Sequence, residues 1–181
     1  MARFYKKIPT RIQQFIKAQK MFFVATAPAE GRVNLSPKGM DSFHIIDEHQ
    51  VAWLSVTGSG NETSAHLLEN GRITLMFCAF EGAPNIVRLY GTGKEILPSD
   101  AAWEQYKPLF PDYPGMRQIF LISVASVQTS CGSSIPFYDY KGERNRLNEW
   151  AKEKGEEGIR EYWEEKNRES IDGLPTKLYK S

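Results

Sequence analysis

Apolar residues in this chain fall mostly in short runs or in strict alternation, and helical spacing is confined to the connections and the two ends. Thr10-Arg11-Ile12-Gln13 has the Thr-x-x-Gln form of a capping box, and Ile12, Phe15 and Ile16 follow at i, i+3, i+4 spacing. The pattern predicts a helix from Thr10 to Gln19. Met21 to Thr26 reads as a buried strand ended by a hairpin turn at Pro28-Ala29-Glu30-Gly31. Arg32-Val33-Asn34-Leu35-Ser36 alternates as a half-buried partner strand, and Pro37-Lys38-Gly39 breaks it. Phe43 to Ile46 and Val51 to Thr57 make a second hairpin. A turn at Gly58-Ser59-Gly60-Asn61 then leads into a short helix stopped by Asn70-Gly71. Arg72 to Phe80, Asn85 to Ile96 and Ile119 to Thr129 are long strands, with a helix opened by Pro98-Ser99-Asp100 between the last two.

From Glu143 to Glu169 the chain is charge-rich, with Leu147, Trp150 and Ala151, then Ile159, Tyr162 and Trp163, on recurring faces. Gly155 and Gly158 divide this stretch into two helices. Six or more strands in hairpin succession indicate an α+β fold with an antiparallel β-barrel core, and the lack of βαβ alternation argues against a Rossmann fold. No internal repeat and no Gly/Ser linker appears. Residues 1–140 are therefore expected to form the barrel and residues 141–181 a helical extension packed on the same domain.

Composition narrows the function classes. With 181 residues, 41% hydrophobic and 25% charged, the chain can bury a core without disulfide or metal staples. The net charge of +1 provides no global field for nucleic acid or an anionic membrane, so any anion must be held by a local site. The N-terminal residues lack the apolar core of a signal peptide, and the longest apolar run, Ile73 to Phe80, is too short to span a bilayer. These features point to a cytoplasmic protein. Two cysteines and three histidines show no metal-ligand spacing.

Three segments could carry chemistry. Ser36-Pro37-Lys38-Gly39 places a hydroxyl, a cation and a freely oriented amide close together, which suits a phosphate dianion; a solvated loop has the same composition. Ser59, Asn61 and Thr63 lie at a strand-to-helix turn, where unsatisfied amides and the helix dipole favour phosphate; a plain N-cap is the alternative. Gln128-Thr129-Ser130-Cys131-Gly132, followed by Tyr138, Tyr140 and Arg144, could border a flat ligand, although a lone Cys is more commonly a small buried hydrophobe.

Taken in order, Met21 to Thr26, Arg32 to Gly39, Val51 to Leu54, Asn61-Glu62-Thr63, Asn70 to Met76 and Gly91-Thr92-Gly93 resemble the pyridoxamine 5′-phosphate oxidase-like superfamily of FMN-binding split β-barrels. Ser130-Cys131-Gly132 and Ser170 to Pro175 resemble a subgroup of uncharacterised bacterial members with a helical tail. The resemblance implies a homodimer with FMN at its interface. The phosphate would be held by Asn34, Ser36, Lys38 and Gly39 and by the turn of Ser59, Asn61 and Thr63. The partner subunit would close the site with Arg88 or the region after Cys131. Many members carry Arg or Lys in that turn; here Asn61 and Thr63 stand there, leaving Lys38 as the main cation. The implied function is an FMN-dependent oxidoreductase acting on a small molecule or a nicotinamide donor. The alternatives are a non-catalytic flavin-binding or redox-sensing protein, and a split barrel that holds deazaflavin or haem.

Overall fold

The computed structural model describes residues 2–179. Its strands are β1 (Arg3–Tyr5), β2 (Phe22–Thr26), β3 (Asn34–Lys38), β4 (Phe43–Ile45), β5 (Gln50–Val56), β6 (Arg72–Cys78), β7 (Ile86–Ile96) and β8 (Met116–Ser130). The helices are α1 (Thr10–Ala18), α2 (Glu62–Asn70), α3 (Trp103–Tyr106) and α4 (Arg146–Lys166). Every strand pair is antiparallel, in one sheet ordered β3-β2-β6-β7-β8-β5-β4, with β1 added to β8. This is the α+β antiparallel split barrel that the hairpin succession predicts.

β8 is the spine. It pairs with β7 from Ile119 to Ser130, while its other edge takes β5 along its first half and β1 near its end. One core collects Val24, Leu75, Phe77, Leu89, Phe120 and Ile122 from the sheet, together with Ile12 and Ile16 of α1. On the opposite face of β5 and β8, Ala52, Leu54, Ile119 and Leu121 pack on Trp103 and Phe110. β5 and β8 are therefore covered on both sides, which explains why Val51 to Leu54 is a continuous apolar run and not an alternation.

The structure departs from the sequence reading in places that follow known physics. Thr10 is the first residue of α1 and not its cap; Pro9 precedes the helix, and Gln13 Nε2 donates to the Ile8 carbonyl at 3.0 Å, so no capping box forms. β3 runs through Pro37 to Lys38 instead of breaking there, because β3 is an edge strand and Pro37 withholds no amide that a further neighbour would need. β1, three residues long, gives too short a pattern to detect. The tail helix is divided once, at Gly155, whose φ of 66° leaves the helical region; Gly158 stays within the second half. Among the described residues no helix is long and apolar enough to cross a membrane.

An aromatic cluster fills the barrel: Phe22 and Phe77 stack at 5.5 Å, Phe43 meets Phe77 edge-on at 5.0 Å, and Trp53 stacks on Phe120 at 4.8 Å. Phe77 is enclosed by these rings and by strands paired on either side, so little can collapse into its place. Phe77→Ala is expected to lower the unfolding free energy by about 3–5 kcal/mol in urea denaturation. A loss well below that range would show that the cluster relaxes more freely than its ring contacts imply.

Candidate functional site

Alternation in β3 sends Asn34, Ser36 and Lys38 to one side of the strand and leaves Leu35 and Pro37 exposed on the other. The inward side faces a cavity of about 690 Å³, within the range of small-ligand sites. Trp53, Ser55 and Phe120 contribute from β5 and β8, and residues 58–63 from the turn into α2.

The polar groups are organised before any ligand enters. Ser36 Oγ donates to Asn34 Oδ1 at 3.0 Å, and Asn34 Nδ2 reaches Thr63 Oγ1 at 3.4 Å, which ties β3 to the first turn of α2. Asn61 begins that helix, yet its side chain makes no cap. Its amide pairs face to face with Gln118, with Asn61 Nδ2 donating to Gln118 Oε1 at 3.3 Å. The turn thus offers backbone and hydroxyl groups to the cavity, while Asn61 holds the turn against β8.

Four cations line this space; Arg32 pairs with Asp172 and Lys166 with Glu165, which leaves Lys38 and Arg117. Lys38 Nζ lies 5.0 Å from the centre of the Trp53 ring, and burial together with the nearby Arg117 charge lowers its pKa to about 8. Arg117 is 4% exposed. It donates to the Gly60 carbonyl at 3.0 Å, to Asn167 Oδ1 at 2.6 Å and to Ser55 Oγ at 3.2 Å, while its Nε is buried without a partner. Burial lowers Arg117 to about 10, and the Glu95 charge offsets part of that shift. Among the described residues neither Lys38 nor Arg117 forms an ion pair. Two like charges shielded from water, with no carboxylate in ion-pair contact among the described residues, attract an anion.

Of the sequence-derived candidates, Asn34, Ser36, Lys38, Ser59, Asn61 and Thr63 line the cavity. Gly39 lies just past the end of β3, where its carbonyl accepts the Ser42 hydroxyl at 2.6 Å. Arg88 sits on the outward face of β7 and donates to Ser130 Oγ at 3.1 Å. Cys131 is exposed beyond β8, 2.8 Å from Ser133 Oγ, and that contact lowers its thiol pKa. Neither Arg88 nor Cys131 lines this cavity.

Sequence reasoning missed Arg117, Arg32 and the tail residues Lys166, Glu169, Ser170 and Ile171. The signal for Arg117 was the polar pair Arg117-Gln118 opening a strand that is otherwise apolar. The tail gave no signal for placement, because its contacts cross 50 to 140 residues of chain.

Comparison with known proteins adds to this geometry. The family profile described as pyridoxamine 5′-phosphate oxidase matches residues 8–131. The pyridoxamine 5′-phosphate oxidase family protein ustO of Aspergillus flavus is 35% identical over 195 residues, covering 97% of this chain and 78% of that protein. Among solved structures, a variant of HupZ from Group A Streptococcus aligns with a TM-score of 0.54 at 21% identity, covering 68% of this chain and 99% of HupZ. An FAD-binding protein from Mesorhizobium loti aligns with a TM-score of 0.51 at 13% identity, covering 72% and 99%. At those identities the two structures speak for the fold.

The two cations also predict a pH dependence of stability. Lys38 holds its proton less tightly when folded than when unfolded, so its charge opposes folding fully below about pH 8. That penalty is relieved as the pH rises from there toward the ordinary lysine value of about 10.4. Lys38→Met is expected to raise stability near neutral pH by ~1–2 kcal/mol, after allowance for partial solvent screening, with the gap over the wild type closing above pH 8. Urea denaturation across that range checks it; a gap that widens with pH would contradict the placement of Lys38.

Proposed function

The chain belongs to the pyridoxamine 5′-phosphate oxidase family, and from that premise we propose that it is a flavoprotein that binds FMN in the cavity between β3, the turn into α2 and β8. The observation that carries this reading is the pair Lys38 and Arg117, a half-buried and a buried cation with no carboxylate in ion-pair contact among the described residues. The site fits a phosphate monoester. Arg117 Nε, the Lys38 ammonium, the Ser36 and Ser59 hydroxyls and the first amides of α2 are donors of the kind a dianion requires. Trp53 and Phe120 supply apolar surface beside them.

A flavin, when bound, supplies hydride and electron transfer, so the protein's contribution is binding, orientation and electrostatics, without a catalytic acid or base of its own. We read the chain as an oxidoreductase for a small molecule or a nicotinamide donor. Among the described residues the cavity lining contains no His, Cys, Met or Tyr, the usual haem-iron ligands, which favours flavin over haem.

The same reading includes a homodimer. Pro37, Phe23, Met76, Arg88, Gln128 and Phe4 follow one another across five successive pairings on the outward face of the sheet, and each of them is exposed or half-buried. Val33 and Leu35 of the adjoining edge are 73% and 61% exposed. A second copy on this face would cover apolar surface and bring Arg88 and the segment after Cys131 toward a neighbouring cavity.

Purified protein is expected to show two flavin absorbance bands, retained through a wash after FMN is added. Lys38→Ala should lose the flavin, and full occupancy in that variant would refute the placement of the phosphate. Separately, light scattering should report a dimer that Leu35→Asp or Met76→Asp converts to monomer with loss of FMN. A wild-type monomer that retains FMN would overturn the interfacial site.

A further inference from the structure

The family profile ends at Cys131, yet four of the residues around the cavity come from the tail beyond it. That tail is a compact unit after α4. Ser170 N–H donates to the Leu174 carbonyl at 2.8 Å and Thr176 N–H to the Arg168 carbonyl at 2.9 Å, closing a small hairpin.

The hairpin touches each of the three segments that carry ligand groups. Asn167, with no exposed surface, accepts from Arg117 through Oδ1 at 2.6 Å and donates through Nδ2 to the Gly58 carbonyl at 3.1 Å. Ile171 N–H donates to the Glu62 carboxylate, at 3.1 Å from both oxygens, at the start of α2. Asp172 accepts from the Arg32 amide at 2.7 Å and pairs with its guanidinium, at the residues that lead into β3. Gly31 makes room for this contact: its φ is +125°, and a Cβ there would sit 2.7 Å from Asp172 Oδ2.

The chemistry of these contacts is selective. The amide oxygen of Asn167 satisfies an Arg117 N–H without neutralising the guanidinium, so the charge stays available to the cavity. Glu62, an acid beside an anion site, has its carboxylate engaged by the Ile171 amide. Asp172 does not line the cavity, so its role is to hold the tail against Arg32 and not to meet a ligand.

We propose that segment Asn167–Asp172 is part of the binding site itself, a clasp whose docking and the binding of the phosphate-bearing ligand strengthen each other. This rests on the flavin-phosphate reading above. Binding needs β3, the turn and Arg117 in place together, and the clasp holds all three; by linkage, whatever factor the docked tail adds to ligand affinity, the ligand must return to tail docking.

The test uses the full chain, with FMN as probe. Asp172→Asn should weaken FMN binding about tenfold, within the range usual for coupled sites, without removing any group that faces the cavity. Asn167→Asp should weaken it further, because a carboxylate on Arg117 competes with the dianion. In the wild type, FMN should slow hydrogen exchange at the amides of Ile171, Gly173 and Thr176. Unchanged FMN affinity in Asp172→Asn, or tail amides indifferent to FMN, would overturn the clasp. If the wild type fails to hold FMN, the flavin reading falls and inorganic phosphate becomes the probe. Protection of the tail amides by phosphate in the wild type, lost in Asp172→Asn, would sustain the clasp, and its absence would overturn it.

Discussion

A guanidinium taken out of water keeps a desolvation penalty of several kcal/mol unless its hydrogens are met and its charge is answered. Arg117 has the first condition largely fulfilled and the second met only in part, by the Glu95 charge without an ion pair. Ser55 on β5, the carbonyl of Gly60 and the side chain of Asn167 occupy most of its donors, all of them neutral acceptors. The arrangement fixes the geometry of a strand, a turn and a tail around one positive charge, and that charge faces a cavity. Lys38 enters the same space from β3, and burial, together with the nearby Arg117 charge, lowers its pKa. The elements around the cavity hold both charges on its lining without an ion pair among the described residues.

Such a site requires a rigid floor, and the barrel supplies one. Trp53 and Phe120 stack beneath the cavity while belonging to the aromatic core that includes Phe22 and Phe77. Because β5 and β8 are buried on both faces, the side chains that reach the cavity from them, Ser55 and Arg117, stand on strands with little freedom to shift. Close packing of this kind transmits displacement instead of absorbing it. A change in the core is therefore also a change in where the cations sit.

The fold was legible because strand alternation and turn residues are local signals. Phe22 to Thr26, the hairpin around Asp47 and the long strands at Arg72, Ile86 and Met116 all announce themselves within a few residues. The errors came where tertiary context overrides a local rule, as with Pro37 continuing an edge strand and Thr10 failing to cap. The site divides in the same way. Asn34, Ser36 and Lys38 alternate on one strand and Ser59 to Thr63 sit in one turn, so both could be read. Arg117 could not, since its importance depends on burial without a counter-charge. Nor could Asn167 or Asp172, whose partners lie 50 and 140 residues away.

The division of labour on β3 shows why an edge strand is suited to this site. A central strand would have its backbone engaged by neighbours on both edges and its side chains buried on both faces. β3 is paired only with β2, so its inward residues Asn34, Ser36 and Lys38 can face a cavity, and its outward residues Leu35 and Pro37 remain exposed. Exposed edges invite association, and proteins commonly blunt them with Pro or charge. Here Pro37 removes one amide donor, while apolar Leu35 stands exposed beside it. That combination discourages indiscriminate strand addition yet leaves an apolar face, which is what a partner docking through side chains requires. In the proposed dimer, ligand and partner would meet opposite sides of the same five-residue strand, so a shift of β3 toward either one would be felt at the other.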